Sequence, residues 1–191
     1  MILLVLAALA CRPMPPEDDT GDGVVDPGDG GQPGSTLADI DPSVLPQVDG
    51  ACRAPELARV DYVVDGDTIY ATTSQGSEKI RFIGVNTPEM GYGDAEQECY
   101  GPEAMAFTAE RLQGGEVWLT FDKDCLDPYD RTLAYLFVGT RDEDFLQRAL
   151  LRGGYAEVMI YEPNDAFEDL FRDDLADAQH ESAGMWGACG G

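Results

Sequence analysis

The sequence predicts an α+β fold, a five-stranded OB-type β-barrel with three α-helices, and three observations carry that prediction. Apolar residues alternate in short runs bounded by turn residues, as in half-buried strands. The elements follow in the order three strands, helix, two strands, two helices. A single helix between the third and fourth of five short strands is the arrangement of an OB-type barrel.

The first strands lie in "ARVDYVVDGDTIYATT", where Val60, Tyr62 and Val64 alternate before Asp65-Gly66, a dipeptide that favours a tight hairpin. "EKIRFIGV" is the third strand. "PEAMAFTAERLQGG" is a helix, with Pro102 in its first turn and Gly114-Gly115 beyond its end. "EVWLTFD" and "TLAYLFV" are the last two strands, around a polar loop. "EDFLQRALLRGG" is the second helix. The third is "NDAFEDLFRDDLADAQHESAG", with Asn164 as its expected cap. Phe167, Leu170, Phe171 and Leu175 fall at helical spacing on a core face. Glu168, Asp169, Asp173 and Asp174 between them read as a solvated face, and His180 as a surface residue.

The chain divides into three. Residues 1–11, "MILLVLAALAC", are an apolar run too short to span a bilayer and read as an export signal ending at Cys11. Its end resembles the lipobox of bacterial lipoproteins, which makes Cys11 the lipidation site and the membrane a partner through a lipid anchor. Residues 12–50 are rich in Pro, Gly and Asp and are expected to form a disordered acidic tether. Within it Asp18, Thr20, Asp22, Gly23 and Asp29 fall near the ligand positions of a calcium loop, but Pro27 interrupts them and no helix flanks them. Residues 51–191 are the folded domain, expected to be a monomer.

The formal net charge is −25, with nine acids and one base in residues 1–50 and 28 acids and 11 bases in the remainder. Such a charge opposes nonspecific attraction to nucleic acid or anionic lipid, while leaving room for a locally positive cleft. No cysteine pair has the spacing of a zinc site. Without Cys11, four cysteines remain in an exported chain, an even number that suits disulfides. Of the three possible pairings, Cys52 with Cys189 would tie the domain's ends, leaving Cys99 with Cys125.

One stretch asks for chemistry. "IRFIGVNTPE" places Arg81 on the strand face of Ile83 and Val85, then sets Glu89 beyond a rigid Thr87-Pro88 step. A guanidinium buried there needs an anion close by. The expectation is that Pro88 steers Glu89 to that position. Taken alone, the two residues would be a structural ion pair, Asp67 a turn residue, Arg131 beside Asp130 a surface pair, and Tyr129 a loop aromatic.

Taken together, "VVDGDTI", "IRFIGVNTPE", "YGPEAMAF", "DPYDRTLAY" and "GMW" resemble, in order and spacing, the staphylococcal nuclease (thermonuclease) family from about Ala58 to Trp186. The resemblance implies a five-stranded OB barrel with three helices. It also implies calcium-dependent hydrolysis of DNA and RNA phosphodiesters to 3′-phosphate products outside the cytoplasm. Residue by residue, it implies Asp67 as a calcium carboxylate and Thr87 as a backbone-carbonyl ligand. Glu89 becomes the general base for water, Arg81 and Arg131 the arginines on the scissile phosphate, and Tyr129 a contact to a neighbouring phosphate. Asn86 stands where most relatives have a second calcium carboxylate; its amide oxygen can still ligate, with one negative charge fewer. Pro128 and Asp130 replace Lys and Gly of the reference nuclease, and Met159 replaces a tyrosine near the substrate. A rival reading is a barrel of the same ancestry that binds nucleic acid or an envelope partner without cutting.

Overall fold

The computed structural model describes residues 36–189 except 92, 94 and 95. The export signal, Cys11 and the calcium-loop reading of the tether lie outside the described residues.

Strands β1 (Glu56–Asp65), β2 (Thr68–Thr73), β3 (Gly76–Phe82), β5 (Glu116–Thr120) and β6 (Thr132–Phe137) close a barrel in the order β1-β2-β3-β6-β5. All pairs are antiparallel except β3 with β6, where Arg81 lies opposite Leu133. Two irregularities in β1, at Val60/Tyr62 and Val63/Asp65, interrupt its register with β2, and its first half pairs with β5. Such bulges raise local bend and twist, as a barrel of so few strands requires. Helices α1 (Gly101–Arg111) and α2 (Leu146–Arg152) lie between strands, and α3 (Glu168–His180) and α4 (Met185–Ala188) follow the last of them. The run expected as one third strand is broken after Phe82, and β4 (Gly84–Asn86) leaves the barrel to pair with β7 (Glu157–Met159). No described helix is long and apolar enough to cross a membrane.

Ile69, Ala71, Ile80, Val117, Leu119, Ala134 and Leu136 are fully buried, whereas Tyr62, expected to alternate inward with Val60 and Val64, is exposed. Helix α2 seals the barrel with Leu146, Leu150 and Leu151, each with no exposed surface. Burying a leucine contributes roughly 1.5–3 kcal/mol. A polar tie fixes its register: the buried Gln147 amide accepts from the Leu136 N–H at 3.1 Å and donates to the Ala134 carbonyl at 3.0 Å.

Four sequence expectations need correction. Residues 36–50 were assigned to the tether, yet Leu45 is buried and Trp118 Nε1 donates to the Leu37 carbonyl at 2.8 Å, so this segment packs on the barrel. Asn164 does not cap α3, which starts at Glu168; its buried side chain grips the Asp124 backbone through N–H and C=O, at 2.8 and 2.9 Å. Asp174 is not on a solvated face. It is buried and receives Arg148 and Arg152, each Nε at 2.7 Å. The disulfides are Cys52–Cys125 and Cys99–Cys189, with Cα separations of 5.7 and 6.0 Å. Cys52 brackets the domain in sequence, but its N–H donates to the Asp122 carbonyl at 2.7 Å, which sets it beside Cys125 and leaves Cys99 to meet the C-terminus.

Candidate active site

A cleft of about 850 Å³ opens at the barrel's mouth, between the β1–β2 turn, the β3–β4 bend, the loop before β6 and the segment after β7. Asp67, Arg81, Asn86, Glu89, Tyr129 and Arg131 all line it.

Asp67 sits in the two-residue turn between β1 and β2. That turn is driven into the body of the protein: Thr108 Oγ1 donates to the Gly66 carbonyl at 2.6 Å, and a Cβ at Gly66 would lie 2.7 Å from the Thr87 side chain. Only glycine permits so close an approach. The approach lets the Thr87 N–H donate to Asp67 Oδ2 at 2.8 Å, while Thr68 Oγ1 donates to Oδ1 at 3.0 Å. Thr87 is buried behind Asp67.

Across the β2–β3 ladder Thr68 faces Arg81, which brings the guanidinium onto Asp67. Arg81 Nη1 lies 2.5 Å from Asp67 Oδ2, and Nη2 donates to Asn86 Oδ1 at 3.0 Å. The anion beside Arg81 is therefore Asp67, not Glu89 as the sequence suggested. Register decides this, because Asp67 adjoins Arg81 through the ladder while the Thr87-Pro88 step carries the chain outward. Glu89 stands exposed on the cleft wall. Arg81 Nη1 is buried against Asp67, ion-paired with it but outside hydrogen-bond geometry.

The opposite wall is the loop joining β5 to β6. It closes where the Leu133 N–H meets the Cys125 carbonyl at 2.9 Å and the Asp127 N–H meets the Arg131 carbonyl at 3.0 Å. Asp130 takes a φ of 59°, a left-handed conformation that aspartate tolerates better than most residues. Asp127 organises the turn: Oδ1 accepts the N–H groups of Tyr129 and Arg131, both at 2.9 Å, and Oδ2 accepts Arg131 Nε at 2.5 Å. Burial pushes the Asp127 carboxyl up, but hydrogen bonds from the Arg131 backbone and side chain outweigh it and hold the group below the usual range. The Arg131 guanidinium also lies 5.6 Å from the centre of the Tyr129 ring, which is 80% exposed. The two arginines differ as a result. Arg81 is engaged by Asp67 and Asn86, whereas Arg131 has no partner for its two terminal nitrogens among the described residues.

The cleft contains six carboxylates (Asp65, Asp67, Glu89, Asp124, Asp127 and Glu162) against two arginines. Burial, then the charge of Asp67, raises the Asp65 carboxyl to about 6. Among the described residues no three His, Cys, Asp or Glu side chains gather into a metal group. The donors at this end are nevertheless all hard oxygens: two crowded carboxylates and an amide carbonyl. That chemistry fits a hard divalent cation such as calcium, which would relieve the crowding of Asp65 and Asp67.

Several contributors escaped the sequence reading. Asp127 is legible in retrospect, as an aspartate followed by proline and sitting four residues before an arginine. Asp65 is only a turn residue by its sequence context, and its place on the cleft wall comes from the fold. Asn164, which staples the Arg131 loop through Asp124, and the exposed Tyr161 on the cleft wall depend on tertiary placement.

A small barrel with such a mouth is the frame of a hydrolase acting on phosphodiester bonds, and comparison with known proteins agrees. The thermonuclease of Staphylococcus intermedius is 36% identical over 127 residues, covering 66% of this chain and 74% of that protein. Endonuclease YncB of Bacillus subtilis is 35% identical over 133 residues, covering 69% of this chain and 62% of its own length. The prophage-derived endonuclease YokF of the same organism is 36% identical over 129 residues, and the chain spans only 43% of it. The sequence profile described as "Staphylococcal nuclease homologue" matches residues 79–188. The chain belongs to the staphylococcal nuclease family, and its closed five-stranded barrel is that family's OB-type fold.

Proposed function

We propose that this nuclease is a calcium-dependent endonuclease that hydrolyses DNA and RNA to 3′-phosphate products outside the cytoplasm. The observation that carries the reading is the meeting of Arg81 and Glu89, from one stretch of chain, with Arg131 from the distant loop before β6, in one cleft.

Each residue has a task its chemistry suits. Arg131 offers its planar fork to two oxygens of the scissile phosphate, because Asp127 occupies only Nε. Arg81, held beside Asp67 on the other wall, supplies the second positive charge. Together they offset charge building on the equatorial oxygens as phosphorus is attacked. Glu89, exposed on the cleft wall, takes the proton of the attacking water. A bond from the water oxygen to phosphorus forms, the bond from phosphorus to the 5′-oxygen breaks, and that oxygen takes a proton from solvent. A 3′-phosphate and a 5′-hydroxyl result. Tyr129 contacts a neighbouring phosphate. Asp67 and Asn86, with the Thr87 carbonyl and with Asp65 alongside, would hold a calcium ion, which when bound would supply positive charge to a cleft that otherwise repels a polyanion.

The two disulfides suit an oxidising compartment and support export. A lipid anchor at Cys11 would hold the enzyme at the cell envelope. Digestion of a fluorescent DNA strand tests the reading: cleavage in calcium and none in chelator supports it, and intact DNA in abundant calcium contradicts it.

A further inference from the structure

The segment carrying Glu89 is fastened by hydrogen bonds to Glu98 and, one residue further on, by a disulfide. The Glu98 N–H donates to the Glu89 carbonyl at 3.0 Å, and the Glu89 N–H donates to Glu98 Oε2, also at 3.0 Å. Residues 89 and 98 thus close a loop on each other. Helix α1 backs onto the same peptide, since a Cβ at Gly101 would lie 2.5 Å from the Glu89 carbonyl oxygen. Immediately after Glu98 comes Cys99, bonded to Cys189. Cys189 follows α4, and α4 is itself anchored: the Met185 N–H donates to the Gly154 carbonyl at 2.9 Å, just past the buried α2.

We propose that the Cys99–Cys189 disulfide is a positioning element for Glu89, fixing through Glu98 where that carboxylate stands against the phosphate. The latch between Glu89 and Glu98 consists of hydrogen bonds at the exposed rim, where water competes for every donor and acceptor. The covalent bond ties that latch to the buried part of the fold. Cys52–Cys125 performs the corresponding task on the facing wall, two residues before Asp127, so the Glu89 segment and the Arg131 loop each have their own bond. The inference rests on Glu89 as the base, and its test separates the two.

The full chain is prepared as the double variant Cys99→Ser/Cys189→Ser, as Glu89→Gln, and as the triple combination. kcat and KM on a fluorescent single-stranded DNA are measured in calcium, well below each protein's melting temperature. The double variant is expected to lose kcat by about tenfold or more with KM within about twofold, because misplacing a reacting group by an ångström costs up to ~100-fold. The triple variant is expected to be no slower than Glu89→Gln alone, since the bond acts only through that carboxylate. Hydrogen exchange of the Glu98 amide should quicken in the double variant. If that variant does not fold, Glu98→Ala, which removes only the side-chain half of the latch, should show the same loss confined to kcat and the same lack of additivity. Wild-type kcat in Glu89→Gln would overturn the base assignment and this inference with it. A slow Glu89→Gln beside a double variant of wild-type kcat, or losses that multiply in the triple variant, would overturn the inference alone.

Discussion

Arg131 Nε meets Asp127 Oδ2 at 2.5 Å, while the other oxygen of the same carboxylate accepts the amides of Tyr129 and Arg131 at 2.9 Å each. One side chain therefore shapes the turn and aims the guanidinium it presents. Using Nε for the grip leaves both terminal nitrogens for a phosphate.

Asp127→Asn keeps an oxygen for one of these bonds and removes the charge. We expect kcat/KM on DNA to fall about tenfold, the scale of a weakened charge-assisted hydrogen bond. Asp127 titrates below its ordinary value of 3.8. Its contribution to stability is thus complete above the unfolded value and disappears only as pH falls through the lower folded one. The ratio of wild-type to variant kcat/KM should accordingly stay flat between about pH 5 and 9. A ratio that collapses within that range would count against the assignment.

Asn86 faces Arg81 with an amide oxygen where a carboxylate would add one negative charge. Asn86→Asp should tighten calcium binding by about tenfold, in keeping with how strongly ligand charge tunes such sites. Calorimetric titration decides it, and an unchanged affinity removes Asn86 from the ligand set.

Asp65 carries a cost that the fold alone does not require. Burial and Asp67 raise its carboxyl from 3.8 to about 6, so the folded protein holds that proton more tightly than the unfolded chain. The proton's stabilising effect is present below the unfolded value and is lost as pH rises through about 6. In chelator at pH 7, Asp65→Asn should raise stability by on the order of 1–2 kcal/mol, a figure discounted for solvent screening. At pH 3.5 the gain should vanish. Denaturant melts at the two pH values measure both, and a variant less stable at pH 7 would refute the crowding argument.

The formal charge of −25 makes long-range repulsion, not attraction, the dominant field on an approaching polynucleotide. Moderate salt should leave the rate at low DNA concentration unchanged or increase it, because screening weakens repulsion. A steep, continuous loss of rate from very low to moderate salt would show that attraction governs encounter.

The barrel was legible in the sequence because alternation and turn residues report local geometry. Val60 packs against the core where that pattern sets it and Pro102 opens α1 as expected, although Tyr62 of the same run faces solvent. What stayed hidden depends on distant segments meeting. No local pattern shows that Asp67 will reach Arg81 across a ladder, that Asn164 will turn from helix cap to loop staple, or that Asp174 will sink beneath two arginines. The cysteine pairing failed for the same reason: sequence separation suggested which ends to tie, and spatial neighbours determined which were tied.

The central claim is that Arg81 and Arg131 serve one phosphorus atom from opposite walls of the cleft. Its most direct measurement is the single-turnover cleavage rate of a fluorescent DNA strand in saturating calcium, for wild type, Arg81→Gln and Arg131→Gln. The account predicts a cutting wild type and a loss of about 10²–10³-fold in each variant, the scale of removing one preorganised charge from the transition state. A wild-type rate in either variant would contradict it.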